Sequence, residues 1–213
     1  MKGAIPIKSA VGALVQELLE TGDVDAAEEQ WRRIVQVGNE PWGLHLLGLV
    51  AQGRGRLDEA AGLMARSISL APATAEFHCN LGVVLGIRGQ PDKAAASLRE
   101  AIRLRPDYFE AHVNLGMAML RLMNPVEAER ILRKALLLRP EAVPARFHLA
   151  AALRQLGRLT EAIESYLKII EDVPDHAQSV GELAHTYESA GCLEGAIDCF
   201  RRAVELRPND SVL

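Results

Sequence analysis

The sequence predicts an all-α solenoid built from about six two-helix units that repeat along the chain. Three rows of identical residues recur with a constant step of 34 residues, and each row has five members. The rows are Pro72, Pro106, Pro140, Pro174 and Pro208; Ala60, Ala94, Ala128, Ala162 and Ala196; and Leu47, Leu81, Leu115, Leu149 and Leu183. Because a fixed period of this length is typical of repeat arrays, residues 1–213 are predicted to form a single array.

Five clear units result when each proline is placed at position 32 of its unit. They span residues 41–74, 75–108, 109–142, 143–176 and 177–210. A degenerate first unit precedes them over residues 8–40, where Gly22 aligns with Gly55 but Asn39 stands in place of the proline. The array therefore has five clear units and one weaker one.

The first helix of each unit is predicted over positions 1–14, where apolar residues recur at helical spacing. Position 15 then requires a residue that can adopt a positive φ, because such a residue commonly ends a helix. Four units have glycine at this position, namely Gly55, Gly89, Gly157 and Gly191. The sequence thus predicts a tight turn after each first helix.

The second helix of each unit is predicted to begin at position 17 and to run to position 31. Pro91 and Pro125 occupy position 17 in two units, and proline suits the first turn of a helix. Position 31 is often arginine, as in Arg105 and Arg139, and its charge complements the negative end of the helix dipole. The proline at position 32 prevents the helix from continuing.

Small residues indicate how the two helices of a unit pack. Position 20 is always alanine, and position 8 is Gly48, Gly82, Gly116, Ala150 or Ala184. We expect these two positions to face each other, so that the helix backbones approach closely. A larger side chain there would overpack the contact.

The pattern resembles the tetratricopeptide repeat (TPR), a 34-residue helix–turn–helix unit. The residues that carry the resemblance in the first clear unit are Leu44, Leu47, Gly48, Ala60, Met64 and Pro72. The match is strong over 41–210 and weak over 8–40, and most of the repeat's aromatic positions hold other residues. The resemblance implies a right-handed superhelix whose first helices line a concave groove. It also implies a non-catalytic protein–protein interaction scaffold that binds a peptide or protein segment there.

The resemblance places the groove-facing side chains at positions 2, 5, 6, 9, 12 and 13 of each unit. The candidate peptide-binding residues are then Trp42, His45, Leu49, Asn80, Val83, Asn114, Met117, Arg121, Phe147, His148, Arg154, Glu182 and His185. This mixture of apolar and polar groups suits a peptide better than a phosphate backbone. Some apolar residues at these positions, such as Val83, Val113 and Ala151, could instead be buried between repeats.

Two alternatives to a free-standing scaffold remain open. Asn80 and Asn114 share position 6, and an asparagine amide can pair with a peptide backbone. In these two units the sequence resembles the arrays of O-linked N-acetylglucosamine transferases, so the chain could be the recognition arm of a larger glycosyltransferase. The other alternative is a self-assembling structural scaffold. It is suggested by Ile197, Phe200, Val204 and Leu206, because a next repeat would normally cover part of this apolar face.

Composition and motifs exclude several other functions. The chain has 24 Lys and Arg against 28 Asp and Glu, a net charge of −4, which gives no basic footprint for nucleic acid. We find no nucleotide-binding or catalytic motif, so neither enzymatic activity nor a cofactor is expected. The three cysteines are expected to be free thiols, with no metal site. The sequence shows neither a secretory signal nor a bilayer-spanning stretch, so the expected location is the cytoplasm.

Overall fold

The computed structural model describes residue 29 and residues 40–206. In this part of the chain all regular structure is helical, and ten helices follow one another in packed pairs. The chain divides into two compact units, Met1–Pro106 and Asp107–Leu213. The predicted fold class is confirmed, whereas nearly all of the degenerate repeat at 8–40 lies outside the described residues.

The first compact unit contains two helix pairs in its described part. They are α1 (Pro41–Gly53) with α2 (Leu57–Leu70), and α3 (Ala75–Ile87) with α4 (Pro91–Leu104). Helix α2 also packs against α3, and α1 contacts α3 directly. The first helices of the two pairs are therefore neighbours on one side of the stack.

The second compact unit contains three helix pairs. They are α5 (Phe109–Arg121) with α6 (Pro125–Leu138), α7 (Val143–Gln155) with α8 (Leu159–Asp172), and α9 (Ala177–Ser189) with α10 (Leu193–Leu206). Helix α6 packs against α7 and α8 against α9, while α7 contacts both α5 and α9. Here too the first helices adjoin one another, so α5, α7 and α9 form one continuous face.

The predicted helix starts are confirmed, but both helices of each unit end one residue earlier than expected. First helices occupy positions 1–13, and second helices occupy positions 17–30. The arginine at position 31 has left the helix: Arg105 and Arg139 are extended, with φ of −139° and −140°. Their side chains instead form ion pairs with Glu76 and Glu110 at position 2 of the same repeats.

The turns and the helix contacts follow the sequence prediction. The four glycines at position 15 have φ between 72° and 76°, and Met123 adopts the same conformation in the remaining repeat, with φ 55°. At position 8, a Cβ added to Gly82 would lie 2.6 Å from Leu98 Cγ and 3.2 Å from the carbonyl oxygen of Ala94. The small residues at positions 8 and 20 thus permit the close helix approach that we predicted.

Candidate functional site

All thirteen candidate groove residues lie on first helices. Helices α1 and α3 of the first compact unit carry Trp42, His45, Leu49, Asn80 and Val83. Helices α5, α7 and α9 of the second carry Asn114, Met117, Arg121, Phe147, His148, Arg154, Glu182 and His185. Since the first helices adjoin within each unit, each set shares one face. We call these the α1–α3 face and the α5–α7–α9 face.

The α1–α3 face is built around an aromatic cluster. The His45 ring stacks on Phe77 with centroids 4.5 Å apart, and Trp42 meets Phe77 edge to face at 4.7 Å. His45 is only 2% exposed, while Trp42 is 37% exposed. Burial lowers the pKa of His45 to about 4, although the charge of Glu76 opposes the shift. His45 is therefore neutral near pH 7 and lies beneath the face rather than on it.

Asn80 is held in place by this buried histidine. Its Nδ2 lies 3.0 Å from Nε2 of His45. Because neutral histidine can accept a hydrogen bond through one ring nitrogen, the Asn80 amide donates to His45. Leu49 is half-buried and packs against a hydrophobic core cluster formed by α1, α2 and α3, and Val83 and Asn80 are also half-buried. Trp42 is thus the most exposed candidate residue of this face.

The α5–α7–α9 face combines polar and apolar side chains. On α5, Asn114 and Met117 are half-buried and Arg121 is exposed, whereas Val113 is buried. On α7, Phe147 contacts the rings of His148, Tyr166 and His176, with centroids 5.4 to 5.9 Å apart. Burial, and to a lesser degree the charge of Arg121, lowers the pKa of His148. His45 and His148, the predicted groove histidines at positions 5 and 6, are therefore both neutral near pH 7.

An ion pair links α7 to α9 on the same face. The Arg154 guanidinium donates to the Glu182 carboxylate at 3.0 Å, and both side chains are about one-third exposed. Burial, followed by the charge of Glu182, raises the pKa of the neighbouring Tyr166, whereas Arg154 opposes the shift. Farther along α9, His185 is exposed and its ring lies 5.0 Å from Phe200. The opposite charges of Arg154 and Glu182 cancel, so the ion pair adds no net charge to this part of the face.

The sequence prediction missed the aromatic residues that support the two faces. Phe77 underlies His45, and Tyr166 and His176 surround Phe147. The sequence does set Phe77 apart, because it occupies position 3 of its repeat. That position holds a small residue in the four other repeats: Gly43, Ala111, Ala145 and Ser179. A bulky phenylalanine at a position that is otherwise small indicates local repacking of the helix interface.

The described residues contain neither a metal-binding cluster nor a membrane-spanning helix. Between residues 40 and 206 no three His, Cys, Asp or Glu side chains are grouped so that they could hold a metal ion. Over the same range, no helix combines the length and the hydropathy that crossing a bilayer would need. The cysteines are free thiols, as predicted: Cys79 is buried, Cys192 exposed and Cys199 half-buried.

Comparison with family profiles finds one kind of repeat along most of the sequence. Profiles described as "TPR repeat" or "Tetratricopeptide repeat" match residues 9–33 and 41–66, 87–122, 124–177, and 177–210. The first of these matches includes much of the degenerate repeat predicted at 8–40. A comparison with curated protein sequences finds no match.

Several solved structures have a similar fold at low sequence identity. A tetratricopeptide repeat protein from Parabacteroides merdae aligns with a TM-score of 0.80 and 20% identity, covering 92% of this chain and 80% of its own. PilF from Pseudomonas aeruginosa aligns with a TM-score of 0.79 and 19% identity, covering 95% and 94%. YrrB, described as "a TPR protein with an unusual peptide-binding site", aligns with a TM-score of 0.68 and 20% identity, covering 86% and 95%. At these identities the likeness concerns the fold alone.

Proposed function

We propose, from the premise that this chain belongs to the tetratricopeptide repeat family, that it is a non-catalytic scaffold binding a peptide segment of another protein. The observation that carries the proposal is the α5–α7–α9 face, where half-buried polar and apolar side chains of adjoining helices lie side by side. The description of YrrB as a peptide-binding protein of similar fold supports it.

The chemistry of the α5–α7–α9 face indicates what kind of segment it would bind. Asn114 offers an amide that can donate to and accept from a peptide backbone. Met117 offers a flexible apolar side chain that adapts to different partners. Arg154 and Glu182 neutralise each other, and His148 is uncharged near pH 7. These properties favour an extended or short helical segment with apolar side chains over a strongly charged one.

The proposal is tested with a peptide selected on the immobilised 213-residue chain from a random library. Binding of the labelled peptide is then measured by fluorescence polarisation. Asn114→Ala removes a hydrogen-bonding group whose net contribution is about 1 kcal/mol, so the dissociation constant should rise about fivefold. Met117→Ala should weaken binding by a similar factor through lost apolar contact.

Leu137→Ala is the matched control for these variants. Leu137 lies on the second helix α6 and is 83% exposed, so its truncation should affect neither stability nor binding. If the selected peptide binds the Asn114 and Met117 variants as tightly as wild type, the α5–α7–α9 face is not the binding site. Phe147→Ala is a poorer probe, because Phe147 packs on Tyr166 in the core and its loss would destabilise the fold.

Other parts of the functional interpretation are also proposals. We place the scaffold in the cytoplasm and regard residues 1–213 as a single array. A recognition arm of a glycosyltransferase remains a prediction that rests on Asn80 and Asn114 alone. One of these amides is already bonded to His45, and none of the three structures described above is named as a glycosyltransferase. The free-standing scaffold is therefore the better-supported function.

A further inference from the structure

The last described helix, α10, has an apolar stripe on its outer side. Leu193, Ile197 and Val204 are 65%, 49% and 51% exposed, and Phe200 is half-buried beside them. Ile197, Phe200 and Val204 line a groove of about 510 Å³, together with Arg201 and Glu205. The opposite side of the helix carries the buried Ala196 and Ala203. Helix α10 is thus packed on one side and apolar on the other.

Equivalent positions in the preceding repeat are covered by a neighbouring helix. Ile163, Tyr166 and Ile170 of α8 pack in a cluster with Leu183, which belongs to α9. The corresponding residues of α10 are Ile197, Phe200 and Val204. No helix within residues 40–206 covers them in the same way. The stripe is therefore shaped to pack against a helix.

The spacing of the stripe is compatible with pairing to the same stripe of a second copy. Leu193, Ile197, Phe200 and Val204 are separated by four, three and four residues, which is the spacing of a coiled-coil seam. The pattern is symmetric about the midpoint between residues 198 and 199. In an antiparallel pair with a two-fold axis at that midpoint, Leu193 faces the second copy's Val204, and Ile197 faces the second copy's Phe200.

Charges along the exposed edge of the stripe select the antiparallel orientation. Glu194, Asp198, Arg201 and Glu205 lie on this edge and are all exposed, and Arg201 forms an ion pair with Asp198 of its own helix at 3.3 Å. In the antiparallel register, Arg201 falls between the second copy's Glu194 and Asp198, and the two-fold axis repeats this contact. In a parallel two-fold pair this charged edge would instead face the opposite edge of the second copy's helix, which carries Ala196 and Ala203, and these residues are buried and offer no charge.

We propose that the α10 stripe forms a two-fold symmetric, antiparallel dimer with the same stripe of a second copy of this chain. The interface is isologous, so each apolar and charged contact occurs twice. Its core is the four-residue apolar stripe, and its rim is the edge that carries Glu194, Asp198 and Arg201. The dimer contact lies next to the α5–α7–α9 face, since the His185 ring is 5.0 Å from Phe200, but it does not require a bound peptide.

Sedimentation velocity of the full 213-residue chain over a series of concentrations tests the dimer. Wild type should show a monomer–dimer equilibrium. Ile197→Arg should remain monomeric, because it places a charge in the apolar core of the interface. Leu137→Arg is the matched control, since Leu137 is an exposed leucine on another second helix. Far-UV circular dichroism shows whether each variant remains folded. A monomeric wild type, or an Ile197→Arg variant that dimerises normally, would overturn the proposal.

Charge reversal tests the antiparallel register. Arg201→Glu alone, and the double variant Glu194→Arg with Asp198→Arg, should each raise the dimer dissociation constant about tenfold through like-charge contacts. A one-to-one mixture of the two proteins should form heterodimers about as tightly as wild type dimerises, because every rim contact is again between opposite charges. If both variants dimerise like wild type, or the mixture gains no affinity, this arrangement of the two helices is wrong.

Discussion

Replacing Gly82 by alanine tests the close packing of the helix pairs. A Cβ at Gly82 would lie 2.6 Å from Cγ and 3.0 Å from Cδ2 of Leu98, and 3.2 Å from the carbonyl oxygen of Ala94. Leu98 is fully buried and has little room to move. Overpacking of this kind costs about 1–3 kcal/mol, whereas alanine in a helix interior is favoured over glycine by about 1 kcal/mol. We therefore expect a net destabilisation of about 1 kcal/mol.

Gly62 provides the matched control within the same compact unit. It lies in the interior of α2, and a Cβ there would meet nothing within 4 Å. Gly62→Ala should therefore stabilise the protein by about 0.5–1 kcal/mol through helix propensity alone. The same substitution thus has opposite signs at two helical glycines, because only one of them faces a packed leucine.

The assay is equilibrium urea unfolding followed by far-UV circular dichroism, with free energies of unfolding compared among variants. Leu98→Ala provides an additional check, because it creates space for the new Cβ. The double variant of Gly82→Ala with Leu98→Ala should be more stable than the sum of the single effects predicts. If Gly82→Ala stabilises the chain as much as Gly62→Ala does, the proposed steric role of position 8 is refuted.

Two further predictions concern backbone strain and pH. Met123→Gly should stabilise the chain by about 1 kcal/mol, because φ of 55° is unfavourable for residues other than glycine. Urea unfolding measures the change in the free energy of unfolding, and a loss of stability in the variant would contradict the prediction. Stability should fall by about 3 kcal/mol between pH 6.5 and about 4, because the unfolded chain protonates His45 at a higher pH than the folded chain does. The His45→Gln variant keeps a hydrogen-bond acceptor for Asn80 but has no group that titrates at this position, so its free energy of unfolding should vary less between pH 6.5 and about 4. If the variant loses as much stability as wild type over this range, His45 is not the cause.

Sequence alone predicted the helix pairs well because their ends are specified locally. Proline at Pro91 and Pro125 opens a second helix wherever it occurs. Glycine at position 15 is selected by one backbone angle, and the exception Met123 adopts the same turn at a conformational cost. The second helices were predicted one residue too long, because the residue at position 31 precedes a proline, which drives it out of the α region: Ala71, Arg105 and Arg139 have all left the helix.

Accessibility of the candidate site was harder to predict, because it depends on contacts between helices that are distant in sequence. His45 occupies a groove position but is buried, since Phe77 from the next repeat stacks on its ring. Glu182 pairs with Arg154 of the preceding repeat. The two charges therefore neutralise each other, although the sequence pattern presented both residues as available to bind a partner. The positions of groove residues follow from the repeat, whereas their exposure follows from the size and charge of particular neighbours.

Photo-cross-linking of the selected peptide shows directly whether it binds on the α5–α7–α9 face. The cross-linked residues are identified by mass spectrometry. The peptide carries a photoreactive group at one position at a time and is bound to the full chain. We expect cross-links to first-helix residues of the α5–α7–α9 face, chiefly Met117 and the half-buried His148. Cross-links confined to second-helix residues, such as Leu137 of α6 or Leu167 of α8, would contradict it.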